Sequence, residues 1–250
     1  MSFLLNPFRF GGGGGGGGTD PNFADVIGLW GWEATSPNHL LDESSFGHNL
    51  TANGSFARTT ANFQFGVASA GRTGAGTASR ATLAHDADFI FSGAFTIEAW
   101  HFIPSGTTTI GQSGISKFVD SAGNRSWALV FGWNSSGGQG YGARLSTDGT
   151  ALAWNFQQAA TTYSQGVWRH ICLERNSSDL CRLYVDGVVV ASQTVSGALF
   201  NNSSVALEVG GLGNGQGSPA GYRLDEVRIT RNVARYDGAF TPPTAAFPRS

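Results

Sequence analysis

Retaining hydrolysis of a glycoside needs two carboxylates about 5–5.5 Å apart, which on a β-strand means two acidic residues on one face, two positions apart. Glu98 has no acidic residue two positions to either side, and Asp225 and Glu226 are adjacent, so strand geometry predicts that they point to opposite faces. Asp225 shares strand parity with Val227 and Ile229, which read as core. The expectation for Asp225, and for Glu98, is therefore a carboxylate that accepts local backbone hydrogen bonds. The chain carries neither a Gly-X-Ser-X-Gly elbow nor a His-Glu-X-X-His helix motif. The sequence predicts no enzyme.

Metal and phosphate chemistry fare no better. His170, Cys172 and Cys181 offer three zinc ligands on paper, but His170 and Cys172 share a strand and no fourth ligand follows. The two cysteines fit a protein made in a reducing compartment, and they flank a hairpin turn. They are compatible with a disulfide or with two packed free thiols. Gly210 to Gly217 follows a strand, but no helix comes after it to hold a phosphate, so it reads as a connecting loop. Asp120, Asp148 and Asp237 fall in loops. Calcium wants six to eight oxygens and no dense acidic loop supplies them, so calcium stays an option without assigned ligands. No cofactor and no metal ligand is otherwise expected.

The remaining chemistry is recognition. A sugar site commonly sets an exposed aromatic ring beside amide or carboxylate side chains. The turn-rich segment from Gly132 to Tyr141 combines Trp133, Asn134 and Tyr141 in that way. These are the candidate glycan-binding residues, with Trp133 as a core residue at a strand end as the alternative reading. Trp154 and Asn214 are secondary candidates. Trp30, Trp32, Trp100, Trp127 and Trp168 are assigned to the core.

The elements that must position these residues are short strands. No helical periodicity lasts ten residues, and Gly, Asn, Ser and Asp turns punctuate apolar runs from Pro21 onward. Val185-Asp186-Gly187-Val188 predicts a type I′ hairpin, since Asp and Gly tolerate positive φ. Phe95 to Ile103 alternates and then becomes apolar on both sides, as a strand covered on both faces should. Val205–Val209 and Val227–Ile229 are further strands. Among 250 residues only 13% are charged, 12% are aromatic, seven are Trp, and the net charge is −2. That balance excludes a nucleic-acid partner, which needs clustered Lys and Arg. No run approaches the length of a membrane span or of a signal-peptide core.

Residues 1–20 differ from the body at 21–250. Phe3, Leu4, Leu5, Phe8 and Phe10 precede eight consecutive glycines, Gly11 to Gly18. Glycine loses the most conformational freedom on ordering, so the run predicts a tether, and fully extended it would span about 25 Å. An apolar decapeptide beyond a tether is expected to be an assembly anchor that docks on a partner surface.

Several segments together resemble a known family. Leu41-Asp42-Glu43-Ser44-Ser45-Phe46-Gly47-His48-Asn49-Leu50 resembles the entry of laminin-G-like, concanavalin A-like jelly rolls. Phe95-Thr96-Ile97-Glu98-Ala99-Trp100 resembles their central strand, and Trp168-Arg169-His170-Ile171 with Leu183-Tyr184-Val185-Asp186-Gly187 their hairpin. Leu224-Asp225-Glu226-Val227-Arg228-Ile229 with Ala234-Arg235-Tyr236 resembles their closing motif. The resemblance implies an all-β sandwich of two antiparallel sheets with an extended N-terminal arm. The opening Leu4-Leu5-Asn6-Pro7-Phe8-Arg9-Phe10 and the closing Phe240-Thr241-Pro242-Pro243 resemble sandwich proteins of tailed bacteriophages. This second resemblance implies a structural or adhesion protein of a virion, in the capsid or the tail. Such a protein would be made in the host cytoplasm and held to other virion proteins by the arm, with the sandwich outward. A homo-oligomer is compatible with this role. The alternative function is a lectin-like module for cell-surface glycan.

Overall fold

The computed structural model describes residues 18–74, 79–107, 113–132, 140–158, 165–213 and 221–250. Among them, fifteen strands form two antiparallel sheets. The larger sheet runs in the order β13 (Val188–Thr194), β12 (Leu180–Val185), β11 (Trp168–Arg175), β6 (Phe95–Phe102), β15 (Arg223–Arg231), β4 (Ser69–Arg72) and β3 (Phe56–Thr59). Its eighth strand, β1 (Val26–Trp30), pairs with the second half of β15. The smaller sheet runs β10 (Trp154–Gln157), β9 (Tyr141–Leu145), β8 (Arg125–Phe131), β7 (Ser113–Phe118), β14 (Leu207–Val209), β5 (Arg80–Leu83) and β2 (Thr51–Asn53). Hairpin-linked neighbours alternate with pairings between strands far apart in the chain, such as β6 with β15 and β7 with β14, as a jelly roll requires. Among the described residues helix is confined to three short 3-10 turns, at Phe23–Asp25, Asn38–Leu40 and Ala87–Phe89, and none is long and apolar enough to cross a membrane.

Alternation builds the core. Phe95, Ile97 and Ala99 of β6, Ile171 and Leu173 of β11, and Trp127, Leu129 and Phe131 of β8 all join one buried cluster. The residues between them point to the outer faces. At the turn between β12 and β13, Asp186 and Gly187 adopt φ of 50° and 76°, and Val185 opposes Val188. This is the hairpin expected from Asp-Gly.

β6 is covered on both sides, as its composition implied. Its outer residues Thr96, Glu98 and Trp100 are buried. Part of the cover is the segment after β15, where Tyr236 and Phe240 stack at 3.5 Å and Phe247 lies beneath the Arg228 guanidinium at 3.7 Å.

Four expectations need correction. Asp225 does not follow Val227 and Ile229 into the core. A β-bulge, with Glu226 at φ 47°, separates them: Asp225 opposes Trp100 whereas Arg228 opposes Glu98, so β15 carries one extra residue. The bulge also defeats the opposite-faces rule: Asp225 accepts from Gln64 and Phe65, Glu226 from Phe247 and Arg249, and both sets of partners lie over the outer face. Trp100 is buried but faces outward, and Trp168 is only half-buried, so neither belongs to the core cluster. Trp154 does belong to it, at 4% exposure, which removes it as a sugar platform. Of the two options open for the cysteines, the structure has the packed free thiols: Cys181 lies in the core, whereas Cys172 alternates with Ile171 and Leu173 and faces the other way.

Candidate binding face

The outer face of the larger sheet divides into a sealed half and an open half. In the sealed half, Glu98 has no exposure and accepts from Arg228 Nη2 at 2.7 Å, His170 Nε2 at 3.1 Å and the Tyr236 hydroxyl at 2.6 Å. Burial alone would raise its carboxyl, but Arg228, His170 and Arg235 outweigh that and hold it well below the usual carboxylate range. Asp20 adds a second anion, reached by Arg235 Nη2 at 2.8 Å and Arg228 Nη1 at 3.2 Å. Glu174 accepts from the Tyr184 hydroxyl at 3.0 Å and from the N–H groups of Tyr236 and Asp237 at 2.7 and 2.8 Å. These carboxylates lock the C-terminal segment onto the sheet. The expectation of local backbone bonds fails for Glu98, whose partners are all side chains.

Asp225 marks the border. Its Oδ2 accepts the backbone N–H of Gln64 and Phe65 at 2.8 and 3.0 Å, and its Oδ1 that of Glu226 at 2.9 Å. Backbone bonds were expected, but two of the three come from a distant loop. Burial first, and the Glu226 carboxylate after it, push the Asp225 carboxyl up to about 7 against these donors. The bonds pin residues 61–67 across the sheet, and Phe65 meets Trp100 edge-on at 5.6 Å.

Beyond that border the face opens. Trp168, first on β11, lies 5.4 Å from Phe102, last on β6, with their planes at 37°. Both rings are half-buried. The Trp168 indole N–H donates to Asn62 Oδ1 at 2.8 Å, which fixes the ring by its polar edge and leaves part of its surface to solvent. Phe63, Val67 and Val167 are exposed at 39%, 56% and 43% on the segments that carry Asn62 and Trp168. Arg169 pairs with Asp186 nearby on β11 and the hairpin turn. The arrangement is an aromatic platform with an amide at its rim; Arg169, opposite His101 in the register, has the strand parity of Ile171 and Leu173 and does not share the face of Trp168.

The sequence-derived sugar site lies elsewhere. Tyr141 starts β9 on its inner side, 1% exposed, against Phe131 and His101 at 6.3 and 5.8 Å. It cannot stack on a sugar, and the reason is strand parity with Ala143 and Leu145 in the core. Trp133, Asn134 and Asn214 fall outside the described residues, as do Phe3, Leu4, Leu5, Phe8 and Phe10. The platform was missed because Trp168 was credited to the core. The signal was present: Trp168 opens its strand two residues after Gly166, and a strand end is where a ring stays half out.

The three loop aspartates stand apart. Asp120 pairs with Arg125, Asp148 caps its own turn through Thr150 and Ala151, and Asp237 binds Asn176 and Arg182. They assemble no calcium cage among the described residues. Lys117, the one lysine of the chain, points inward and donates to Val205 O at 2.8 Å.

This fold and these motifs define a lectin-type β-sandwich. The family model described as the concanavalin A-like lectin/glucanases superfamily matches residues 74–235, and the chain belongs to that family. Among curated proteins no sequence matches it. Among solved structures it is similar to domain 4 of AbnA, a GH43 extracellular arabinanase from Geobacillus stearothermophilus, in complex with arabinotriose. That likeness has TM-score 0.57 and 17% identity, covering 88% of this chain and 96% of the other. It is also similar to the binding domain of Paraclostridial Mosquitocidal Protein 1, with TM-score 0.60 and 14% identity, covering 86% of this chain and 51% of that one. A third is the ligand binding domain of botulinum neurotoxin serotype D in complex with N-acetylneuraminic acid, at 0.59 and 12%, covering 86% and 50%. The chain spans about half the length of these two toxin domains.

Proposed function

We propose that this chain is a non-enzymatic carbohydrate-binding module whose sugar platform is Trp168 with Phe102. The observation that carries the reading is the half-exposed Trp168 ring, held by Asn62 at its edge so that part of its surface is presented to solvent. Sugar C–H groups stack on such rings, and the Asn62 amide supplies a hydroxyl partner. Two structural neighbours were solved with sugars bound, arabinotriose and N-acetylneuraminic acid. The buried carboxylates support a binding role, because Glu98 and Asp225 spend their oxygens on the protein's own donors. A glycan array followed by calorimetry on the best binder tests the reading. Trp168→Ala is expected to weaken binding roughly 2- to 12-fold, the worth of one aromatic contact beyond its area, and pure protein is expected to release no sugar from the bound glycan. Unchanged affinity in Trp168→Ala, with loss in Trp133→Ala, would move the site to the Trp133–Asn134 loop.

A second reading concerns where the module works. We infer a virion component carried by its N-terminal arm, from the apolar residues Phe3, Leu4, Leu5, Phe8 and Phe10 ahead of eight glycines. The two readings are compatible, since an arm-borne sandwich can face a host glycan. Particles assembled with protein lacking residues 1–18 are expected to contain none of it, and normal incorporation would end this reading.

A further inference from the structure

His48 sits at the rim of the sandwich, in the loop between β1 and β2. Its ring lies between Phe46 at 5.8 Å and Phe89 at 4.9 Å. Its Nδ1 is 2.7 Å from Ile27 O. A carbonyl oxygen only accepts, so Nδ1 holds a proton and the ring's remaining nitrogen, Nε2, is turned outward. What it faces is two carboxylate oxygens, Asp86 Oδ2 and Asp88 Oδ2, each 3.5 Å away. His48 is 9% exposed, and the carboxylate side chains are 43% and 28% exposed. Among the described residues this is the single group of three such side chains whose ligand atoms lie within 4.8 Å of one another.

We propose that His48, Asp86 and Asp88 form a zinc-class divalent metal site. Two independent features of the geometry point to it. First, 3.5 Å exceeds the usual N–H···O distance of about 2.7–3.2 Å, yet it is close to the edge of a tetrahedron with bonds of about 2.0–2.1 Å, roughly 3.4 Å. Second, the other ligand-bearing atoms are already occupied. Asp86 Oδ1 accepts the Asp88 N–H at 2.8 Å, Asp88 Oδ1 accepts from Arg231, and His48 Nδ1 is fixed by Ile27. Each of the three side chains thus has one atom committed to the protein and one turned to a shared point, which is how outer contacts orient metal ligands. One imidazole and two carboxylates suit zinc better than calcium, which wants more oxygens. The fourth position opens to solvent on the carboxylate side. Arg231 on Asp88, and Lys117 within electrostatic reach of Asp86, temper the negative charge without occupying either Oδ2. The ion would tie the β1–β2 loop to the 3-10 turn that leads into β6.

The full chain, stripped with a chelator and dialysed, is titrated with zinc chloride by calorimetry and with cobalt chloride by absorption spectroscopy. The expected result is one ion per chain, a cobalt spectrum of tetrahedral intensity, and a Tm higher by about 5 °C at zinc well above Kd. His48→Gln and Asp86→Asn should each weaken binding at least about tenfold, as loss of one ligand does, and abolish the tetrahedral spectrum. Asp86→Asn keeps the oxygen that accepts the Asp88 N–H, so it tests the ligand even if His48→Gln does not fold. No zinc uptake by the wild type overturns the proposal. So does uptake that Asp86→Asn leaves unchanged, which would place the ion elsewhere on the chain.

Discussion

His101 is where acid should act on this fold. Its ring is fully buried and stacked on Phe131 at 4.7 Å, and burial pushes its pKa from 6.5 down to about 3. The unfolded chain binds a proton there below about 6.5 while the folded chain declines it until about 3. Stability from this group is therefore complete above pH 6.5 and lost as pH falls toward 3, at most about 5 kcal/mol. Asp225 works in the opposite direction. Its folded pKa of about 7 lies above 3.8, so its contribution is complete below 3.8 and lost as pH rises to 7. Thermal midpoints measured from pH 3 to 7 should separate the two. His101→Phe is expected to flatten the fall on the acid side, and an equally steep fall in that variant would show that other groups drive acid unfolding.

At the scale of elements, the β12–β13 hairpin is the most exacting turn. Gly187 has φ 76°, and a Cβ there would come within 1.9 Å of Phe240 O. Gly187→Ala thus strains the turn and displaces the C-terminal segment, at a cost of about 2 kcal/mol or more in denaturant unfolding. A cost below about 0.5 kcal/mol would mean that the segment is not seated on the turn. This hairpin was legible because its signal is local: two residues that accept positive φ between two apolar runs. β6 was legible for the same reason, since being apolar on both sides follows from cover on both faces. The β15 bulge was not, because Asp225-Glu226-Val227 reads as plain alternation and the extra residue is defined by its partners on β6. Nor was the role of Asp225, whose donors Gln64 and Phe65 stand some 160 positions earlier in the chain. The half-exposure of Trp168 depends on where its strand begins relative to residues 61–67, a contact that spacing along the chain does not encode.

For the molecule as a whole, Asp20 decides where the sandwich begins. It lies one residue before the boundary drawn from composition, yet it is buried and binds Arg228 and Arg235. Against its own burial, Arg235 and then Arg228 keep its carboxyl below the ordinary range. Removing residues 1–18 should leave Tm nearly unchanged. Removing 1–20 should lower it by about 5 °C, because two guanidiniums on a sealed face lose an anion. Equal midpoints for the two truncations would show that Arg228 and Arg235 are satisfied by Glu98 alone.

The Asp20 N–H also donates to Ser250 O at 2.7 Å. Entry and exit of the sandwich are thus neighbouring strands' width apart, about 5 Å. A host loop could accept the whole module by parting no further than that, as a flag is fixed to its mast along one short edge.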